Sequence, residues 1–462
     1  MPTTEPAHSV PRPWARPIIL WLSRRCLGWN FRHWRIIRRG ELPATGPVLL
    51  IGNHPNDLPD ILLGFFTTRR HVRYIATISA AANRIALATY HGLGVIPVAR
   101  IRDARKLKAR QIDAVALNRA ANASVLAALA AGEVVGVFPE GGVVDSPLLG
   151  SMRIGVAGMV LQYLDADPKH DVTVVPFGVQ YEDPNHRGSD AWAVVGAPFS
   201  IKAWRAGALN GKATATQLSE RFRDALLSVT RSSPTWEETA QRDRCVAALA
   251  AQEDPGDPVA ATVALVQPVQ QLLDGLHPAT ELREAAHRLA DAVQVAGGMP
   301  TSATDHARLR YALGLTTGSA PWPHPVLLLG ALPAFMGALV HAPAWMALQW
   351  WGRKYATYRT DIPARFMVPG LYWVVGWWVL LTAVMALVLP VTGRSSWWAL
   401  GAMLLMPRLG DFSLAWGRAW QGARFVSRIR GWDRPCKDAV AVEIERMQAA
   451  WIAVVHRSSR HE

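Results

Sequence analysis

Cysteine is scarce in this chain: three in 462 residues, Cys26, Cys245 and Cys436, with separations that match no metal-ligand spacing. A disulfide framework and a thiolate metal centre are therefore not expected, and the thiols read as buried or inert groups in a reducing compartment. Charge is also sparse, at 18% of residues, and acid is the scarcer sign, 35 residues against 49 basic for a net +14. The excess is uneven. Residues 1–42 carry eight arginines against Glu5 and Glu41, whereas 220–310 carry nine basic and thirteen acidic residues. No nucleic-acid reader motif accompanies the arginines, which alternate with tryptophan and aliphatics. That mixture suits an anionic membrane surface and argues against nucleic acid as a partner. A signal peptide is not expected either, because the apolar stretch Pro17–Leu22 is short and bracketed by arginines. The water-exposed part of the chain is accordingly expected on the cytoplasmic face of a membrane.

Hydrophobic residues, by contrast, make up half of the chain. Residues 1–42 read as a basic amphipathic arm lying on a bilayer. Residues 43–204 alternate apolar runs with helical stretches. The strand candidates are Val48–Ile51, Val72–Ile75, Val95–Val98, Val134–Phe138, Val172–Phe177 and Ala193–Val195. One long alanine-rich helix is expected over Asp103–Ala131, ended by Gly132 at a C-cap position. Continuous apolar strands separated by helices imply an α/β fold, a largely parallel sheet flanked by helices. Residues 205–322 read as a helical accessory region, with Leu218, Phe222, Leu226 and Val229 on one face.

Residues 323–415 read as membrane-embedded segments and 416–462 as a basic cytoplasmic tail. Val326–Gly352 and Met367–Gly393 hold no Asp, Glu, Lys or Arg, His341 being the one titratable group in the first. Each exceeds the ~20 residues needed to cross a hydrocarbon core. Thirteen of the twenty tryptophans lie from Trp322 onward, as interfacial belts require. The loop Arg353–Arg365 and the tail from Arg408 to Lys437 are both basic. Placing both inside makes Val326–Gly352, with Pro333 and Pro343, a segment that dips in and returns. Met367–Pro390 and Ser396–Phe412 then form the hairpin. Two plain spans with a positive outer loop are the alternative.

Chemistry concentrates in two strings. Asn53-His54-Pro55-Asn56-Asp57-Leu58-Pro59-Asp60 follows a buried strand, and Phe138-Pro139-Glu140-Gly141-Gly142 leaves another. A histidine beside carboxylates can take a proton from an alcohol, the carboxylate fixing the tautomer. Asp57 and Asp60 both stand within reach of His54. Arg100 ends Gly94-Val95-Ile96-Pro97-Val98-Ala99-Arg100 and can clamp a phosphate.

These strings, with Val172–Gly178 as a fourth, resemble in type and order the blocks of the glycerophospholipid acyltransferase family. They cover about residues 45–180. The usual block has four residues between His and Asp; five separate His54 from Asp60, the form found in a branch of glycerol-3-phosphate acyltransferases. The resemblance implies His54 as base with Asp60 orienting it, and Arg100, Glu140 and Gly141 binding the acceptor. The family's T-R-S after the glycine is replaced by Gly142-Val143-Val144, and Arg153 is the nearest arginine to stand in for the missing one.

The resulting expectation is a membrane-bound O-acyltransferase. It moves a fatty acyl group from acyl-CoA or acyl carrier protein to glycerol 3-phosphate or 1-acylglycerol 3-phosphate. Membrane lipids, the thioester and the glycerol phosphate acceptor are its partners; no metal and no bound cofactor are implied. Two alternatives stay open: acylation of another lysolipid, or a catalytically impaired lipid-binding scaffold with the same fold.

Overall fold

Val48-Leu49-Leu50-Ile51 is apolar at every position, a pattern that suits only a strand covered on both faces. The computed structural model gives it that place, with all four residues at 0% exposure. The structure describes residues 15–81, 84–100, 103–183, 188–207, 214–253, 257–274, 280–296, 302–316, 324–355, 361–388 and 395–458. They divide into two units, Met1–Ser232 and Ser233–Glu462.

The first unit runs α1 (Ala15–Asn30), β1 (Trp34–Arg38), β2 (Val48–Gly52), α2 (Leu58–Gly64), β3 (Val72–Thr77), α3 (Arg84–Leu93) and β4 (Ile96–Val98). It continues α4 (Ala104–Ala109), α5 (Ala114–Ala130), β5 (Val134–Val137), α6 (Ile154–Ala166) and β6 (Thr173–Tyr181). It closes with β7 (Ala191–Val195), β8 (Phe199–Ser200), α7 (Ile201–Ala206) and α8 (Ala215–Leu227). The sheet order is β1-β7-β6-β2-β5-β3-β4, with β8 beside β6. Every pair is parallel except β6 with β7 and β6 with β8. The expected α/β architecture, a largely parallel sheet flanked by helices, is the one observed.

Three local expectations differ from the structure. Trp34–Arg38, read as part of the amphipathic arm, is an edge strand paired with β7; its arginines suit an edge, where charge discourages further pairing. Residues 1–14 of that arm lie outside the described residues. The single helix over 103–131 is two, parted where Gln111 takes a φ of 54°. Asp113 restarts it by accepting from the Val115 and Ala116 N–H groups, while Arg110 is drawn to the Ile78 and Ala81 carbonyls. Gly132 follows at a φ of 69°, the left-handed position its C-cap assignment required. Finally, the apolar face Leu218–Phe222–Leu226–Val229 is buried in the first unit, so that unit runs to Ser232 rather than ending at 204.

The second unit holds α9 (Trp236–Glu253), α10 (Pro258–Asp274), α11 (Thr280–Val295), α12 (Ala303–Ala312), α13 (His324–Tyr355), α14 (Asp361–Val388), α15 (Ser395–Arg430) and α16 (Arg434–Ser458). Leu265, Leu282, Leu289, Ile444 and Met447 lie in one buried cluster joining α10, α11 and α16. Here α13 corrects the re-entrant expectation. It runs unbroken through Pro333 and Pro343, and a helix that never breaks cannot turn back. Side chains of the neighbouring helices pin it: Ser413 Oγ donates to the Ala334 carbonyl at 2.7 Å, and Trp416 Nε1 to that of Leu327 at 2.7 Å. From α14, Trp377 Nε1 donates to the Val340 carbonyl at 2.7 Å, and Trp378 Nε1 to His341 Nε2 at 3.0 Å. Pro325–Trp351 is the one helix among the described residues long and apolar enough to cross a bilayer. The residues that would link a hairpin of α14 and α15 lie outside the described residues.

The fit around the sheet is close enough to test. A Cβ on Gly178 in β6 would stand 1.9 Å from the Val229 carbonyl oxygen, which is backbone and cannot swing aside. Gly178→Ala is expected to cost about 1–3 kcal/mol, the range for overpacking. Thermal unfolding of the purified variant checks it, and an unchanged midpoint would show that the segment after α8 is not seated on the sheet.

Candidate active site

In β5, β2 and β6 the chain runs in one direction side by side, so whatever follows their last residues gathers at one edge of the sheet. His54 lies two residues beyond β2, Glu140 three beyond β5, and Tyr181 ends β6. Arg100 lies two residues past β4, which is parallel to the same set through β3. The carboxyl edge of an open parallel sheet is where such folds place ligands.

Between the two sequence candidates the geometry distinguishes sharply. His54 Nδ1 is 2.8 Å from Asp60 Oδ2. Asp60 stands in the first turn of α2 with its carboxylate fully buried, and it also accepts the Asn56 backbone N–H at 2.7 Å. With the Nδ1 proton held by the carboxylate, a neutral imidazole keeps its lone pair at Nε2. Asp57 caps α2 through its backbone alone, at φ 49° and ψ −115°. That conformation, sparsely populated for any residue with a Cβ, sharpens the turn that carries Asp60 back to the ring.

The loop is fixed from both sides. Asn53 locks the end of β2 to β6, donating to the Val179 carbonyl at 3.0 Å and accepting its N–H at 2.6 Å. The imidazole stacks on Phe138 at 4.2 Å with 12° between planes, and Phe138 in turn stacks on Tyr74 at 5.7 Å. Glu140 Oε1 accepts the His54 backbone N–H at 2.8 Å, and Oε2 accepts the Gly150 N–H at 2.9 Å. Burial pushes the Glu140 carboxyl above its ordinary value, opposed by those two donors and by His54. The resemblance implies that Glu140 touches the acceptor; in the structure both its oxygens have backbone partners and it ties two loops together.

Gly141 is exposed at φ 77°, and a Cβ there would meet Arg153 Cγ at 3.1 Å. Both facts favour glycine, and they set the exposed Arg153 side chain against the Glu140-Gly141 turn. Arg100 donates through Nε to Asp103 Oδ2 at 2.9 Å, where Thr77 Oγ1 also donates. Burial alone would raise the Asp103 carboxyl, but those hydrogen bonds outweigh it and hold it below its ordinary value. Tyr90 feels both sides of this region. Its hydroxyl is pushed up to about 12 by burial and then by Asp57, with Arg100 pulling it down.

One member escaped the sequence reading. Tyr181 donates its hydroxyl to Asp60 Oδ1 at 2.5 Å across 121 residues of chain. In sequence it is one more aromatic in a buried strand, and only its position at the strand's last residue distinguishes it.

The Glu140 bridge makes a direct prediction. Glu140→Ala leaves two partly buried backbone donors without their acceptor, at a cost of about 1–3 kcal/mol each. Hydrogen exchange at the His54 and Gly150 amides should accelerate together in that variant; acceleration at one alone would mean that the two loops are held separately.

Residues 34–180, which span β1 through all but the last residue of β6, match the family described as Acyltransferase. Glycerol-3-phosphate O-acyltransferase 2 of Saccharomyces cerevisiae is 35% identical over 106 residues, 22% of this chain and 14% of that protein. Glycerol-3-phosphate O-acyltransferase 1 of the same yeast is 38% identical over 73 residues, 16% of this chain and 10% of that one. An uncharacterized acyltransferase of Schizosaccharomyces pombe is 32% identical over 112 residues, 24% of this chain and 17% of that one. The matches thus span well under a fifth of the curated relatives' lengths. Among solved structures, the 1-acyl-sn-glycerophosphate acyltransferase PlsC of Thermotoga maritima aligns over 46% of this chain and 77% of that one, at 15% identity and a TM-score of 0.34. Within this chain, then, residues 34–180 match the acyltransferase family.

Proposed function

We propose that the first unit transfers a fatty acyl group from a thioester, acyl-CoA or acyl carrier protein, to a hydroxyl of glycerol 3-phosphate or 1-acylglycerol 3-phosphate. The observation that carries this reading is the His54–Asp60 pair at the sheet's carboxyl edge, within a family-matched domain. His54 Nε2 accepts the hydroxyl proton as the oxygen attacks the thioester carbonyl. The new C–O bond forms, the C–S bond breaks, and the thiolate departs. The proton then passes from the imidazolium to the thiolate or to water. Asp60 holds the ring's tautomer and stabilises the transient imidazolium.

Acceptor binding falls to the cationic side chains near this edge. Arg153 lies on the Glu140-Gly141 turn and is exposed, whereas Arg100 is engaged by Asp103. Arg153 is therefore assigned the phosphate, with the Gly141 backbone allowing close approach and Arg100, past β4, a secondary cation. Glu140 is a positioning residue in this scheme. The second unit holds the chain in a bilayer through α13, whose apolar window is 17% buried, with Leu329 at 83% and Leu332 at 71% exposure. A core helix of a water-soluble bundle would hide such residues. The catalytic unit would then work on the cytoplasmic face, where thioesters are supplied.

Three outcomes test the reading. Purified in detergent, the protein should consume acyl-CoA or acyl carrier protein thioester only when one of the two acceptors is present. His54→Ala should cost about 100-fold or more. No consumption with either acceptor, or unchanged turnover in His54→Ala, contradicts it. Arg153→Ala should raise the acceptor KM about tenfold or more, and Arg100→Ala should do so less; the reverse ranking returns the phosphate to Arg100. In washed membranes the chain should stay in the pellet through alkaline carbonate; release into the supernatant contradicts an embedded α13.

A further inference from the structure

Asp60 has two oxygens, and the site as described uses only one of them for the base. Oδ2 takes the His54 Nδ1 proton and the Asn56 N–H; Oδ1 is 2.5 Å from the Tyr181 hydroxyl. Tyr181 is 5% exposed, and its ring lies 5.3 Å from that of Phe31, so the hydroxyl cannot turn to water. A phenol this well buried is the weaker acid, and it donates to the carboxylate rather than giving up its proton.

We infer that Tyr181 is a positioning residue for the proposed base: by donating to Asp60 Oδ1 it limits how strongly Asp60 holds the His54 imidazolium. The inference rests on the acyl-transfer reading only for its consequence in turnover. Its physical content concerns the hydrogen-bond chain Tyr181–Asp60–His54 itself. A carboxylate that shares its charge with a second donor pulls less on the imidazole proton. The ring's Nε2 lone pair is then left to accept a proton. Among the described residues, the Arg231 guanidinium donates to the Tyr181 carbonyl, and two further ionisable groups bear on the pair, Glu140 from the loop after β5 and Tyr74 from β3. Neither is hydrogen-bonded to the Asp60 carboxylate. The Asn56 side chain also reaches the Tyr181 hydroxyl, which joins it to the network of His54 and Asp60.

The test separates this role from plain packing. Diethyl pyrocarbonate acylates only the unprotonated imidazole, so its rate at His54, followed by peptide mass spectrometry from pH 5 to 8.5, reports the ring's own titration. Tyr181→Phe keeps the ring and removes the donor; the midpoint should move upward by about half a unit or more. Phe31→Leu loosens the packing around Tyr181 and keeps the donor; its midpoint should stay at the wild-type value. If acyl transfer is measurable, the acid limb of kcat/KM should move by the same amount and in the same direction. An unmoved midpoint in Tyr181→Phe overturns the inference, as does an equal movement in Phe31→Leu. A shifted His54 midpoint in a protein that consumes no thioester would leave the hydrogen-bond chain standing and remove the acyl-transfer reading instead.

Discussion

A carboxylate with no exposed surface must be supplied with donors, or it will not stay ionised. Asp60 is such a group, and the Nδ1 of His54, the N–H of Asn56 and the hydroxyl of Tyr181 converge on it. Each donor comes from a different part of the local structure: the segment leaving β2, the turn into α2, and the last residue of β6. The carboxylate therefore organises the loop as much as it orients the imidazole. Asp57 at φ 49° is the backbone cost of bringing His54, Asn56 and Asp60 together within seven residues.

Strand order does the rest. Because β6, β2 and β5 are adjacent and parallel, their ends are neighbours, and residues separated by more than eighty positions meet. Asn53 bolts β2 to β6, and Glu140 bolts the loop after β5 to the His54 segment. Glu140 is held above its ordinary value by burial, so ionising it costs the folded state. The sign follows: its stabilising contribution is full below the unfolded value and declines as pH rises through the folded one. Phe138 and Tyr74 complete the site as a stacked floor under the imidazole. The two buried thiols are spectators, since burial lifts Cys26 to about 11 and Cys245 to about 12.

Much of this was legible in the chain before any coordinates. Unbroken apolar runs specify a two-sided sheet, and the 3.6-residue period of Leu218, Phe222, Leu226 and Val229 marks a helix face. The spacing that singled out Asp60 reflects the turn that Asp57 makes. Other features were hidden for physical reasons. Trp34–Arg38 is an edge strand, and edge strands carry the arginines that make them look like a membrane arm. The break at Gln111 depends on Arg110 finding the Ile78 and Ala81 carbonyls, a contact between elements that no local propensity encodes. Tyr181 shows its role only when Asp60 is beside it. Prolines in α13 suggested a turn, but helix–helix hydrogen bonds from Ser413, Trp416 and Trp377 hold that helix through both.

Turnover at this site depends on which carboxylate serves His54. Asp57→Asn and Asp60→Asn, each assayed for acceptor-dependent thioester consumption, decide it. Asparagine tolerates the left-handed backbone at 57, so Asp57→Asn should stay within a few-fold of wild type. Asp60→Asn should lose about 10²–10⁴-fold in kcat, because an amide can neither fix the tautomer nor stabilise the imidazolium. A larger loss in Asp57→Asn, or a small loss in both, would contradict the central claim.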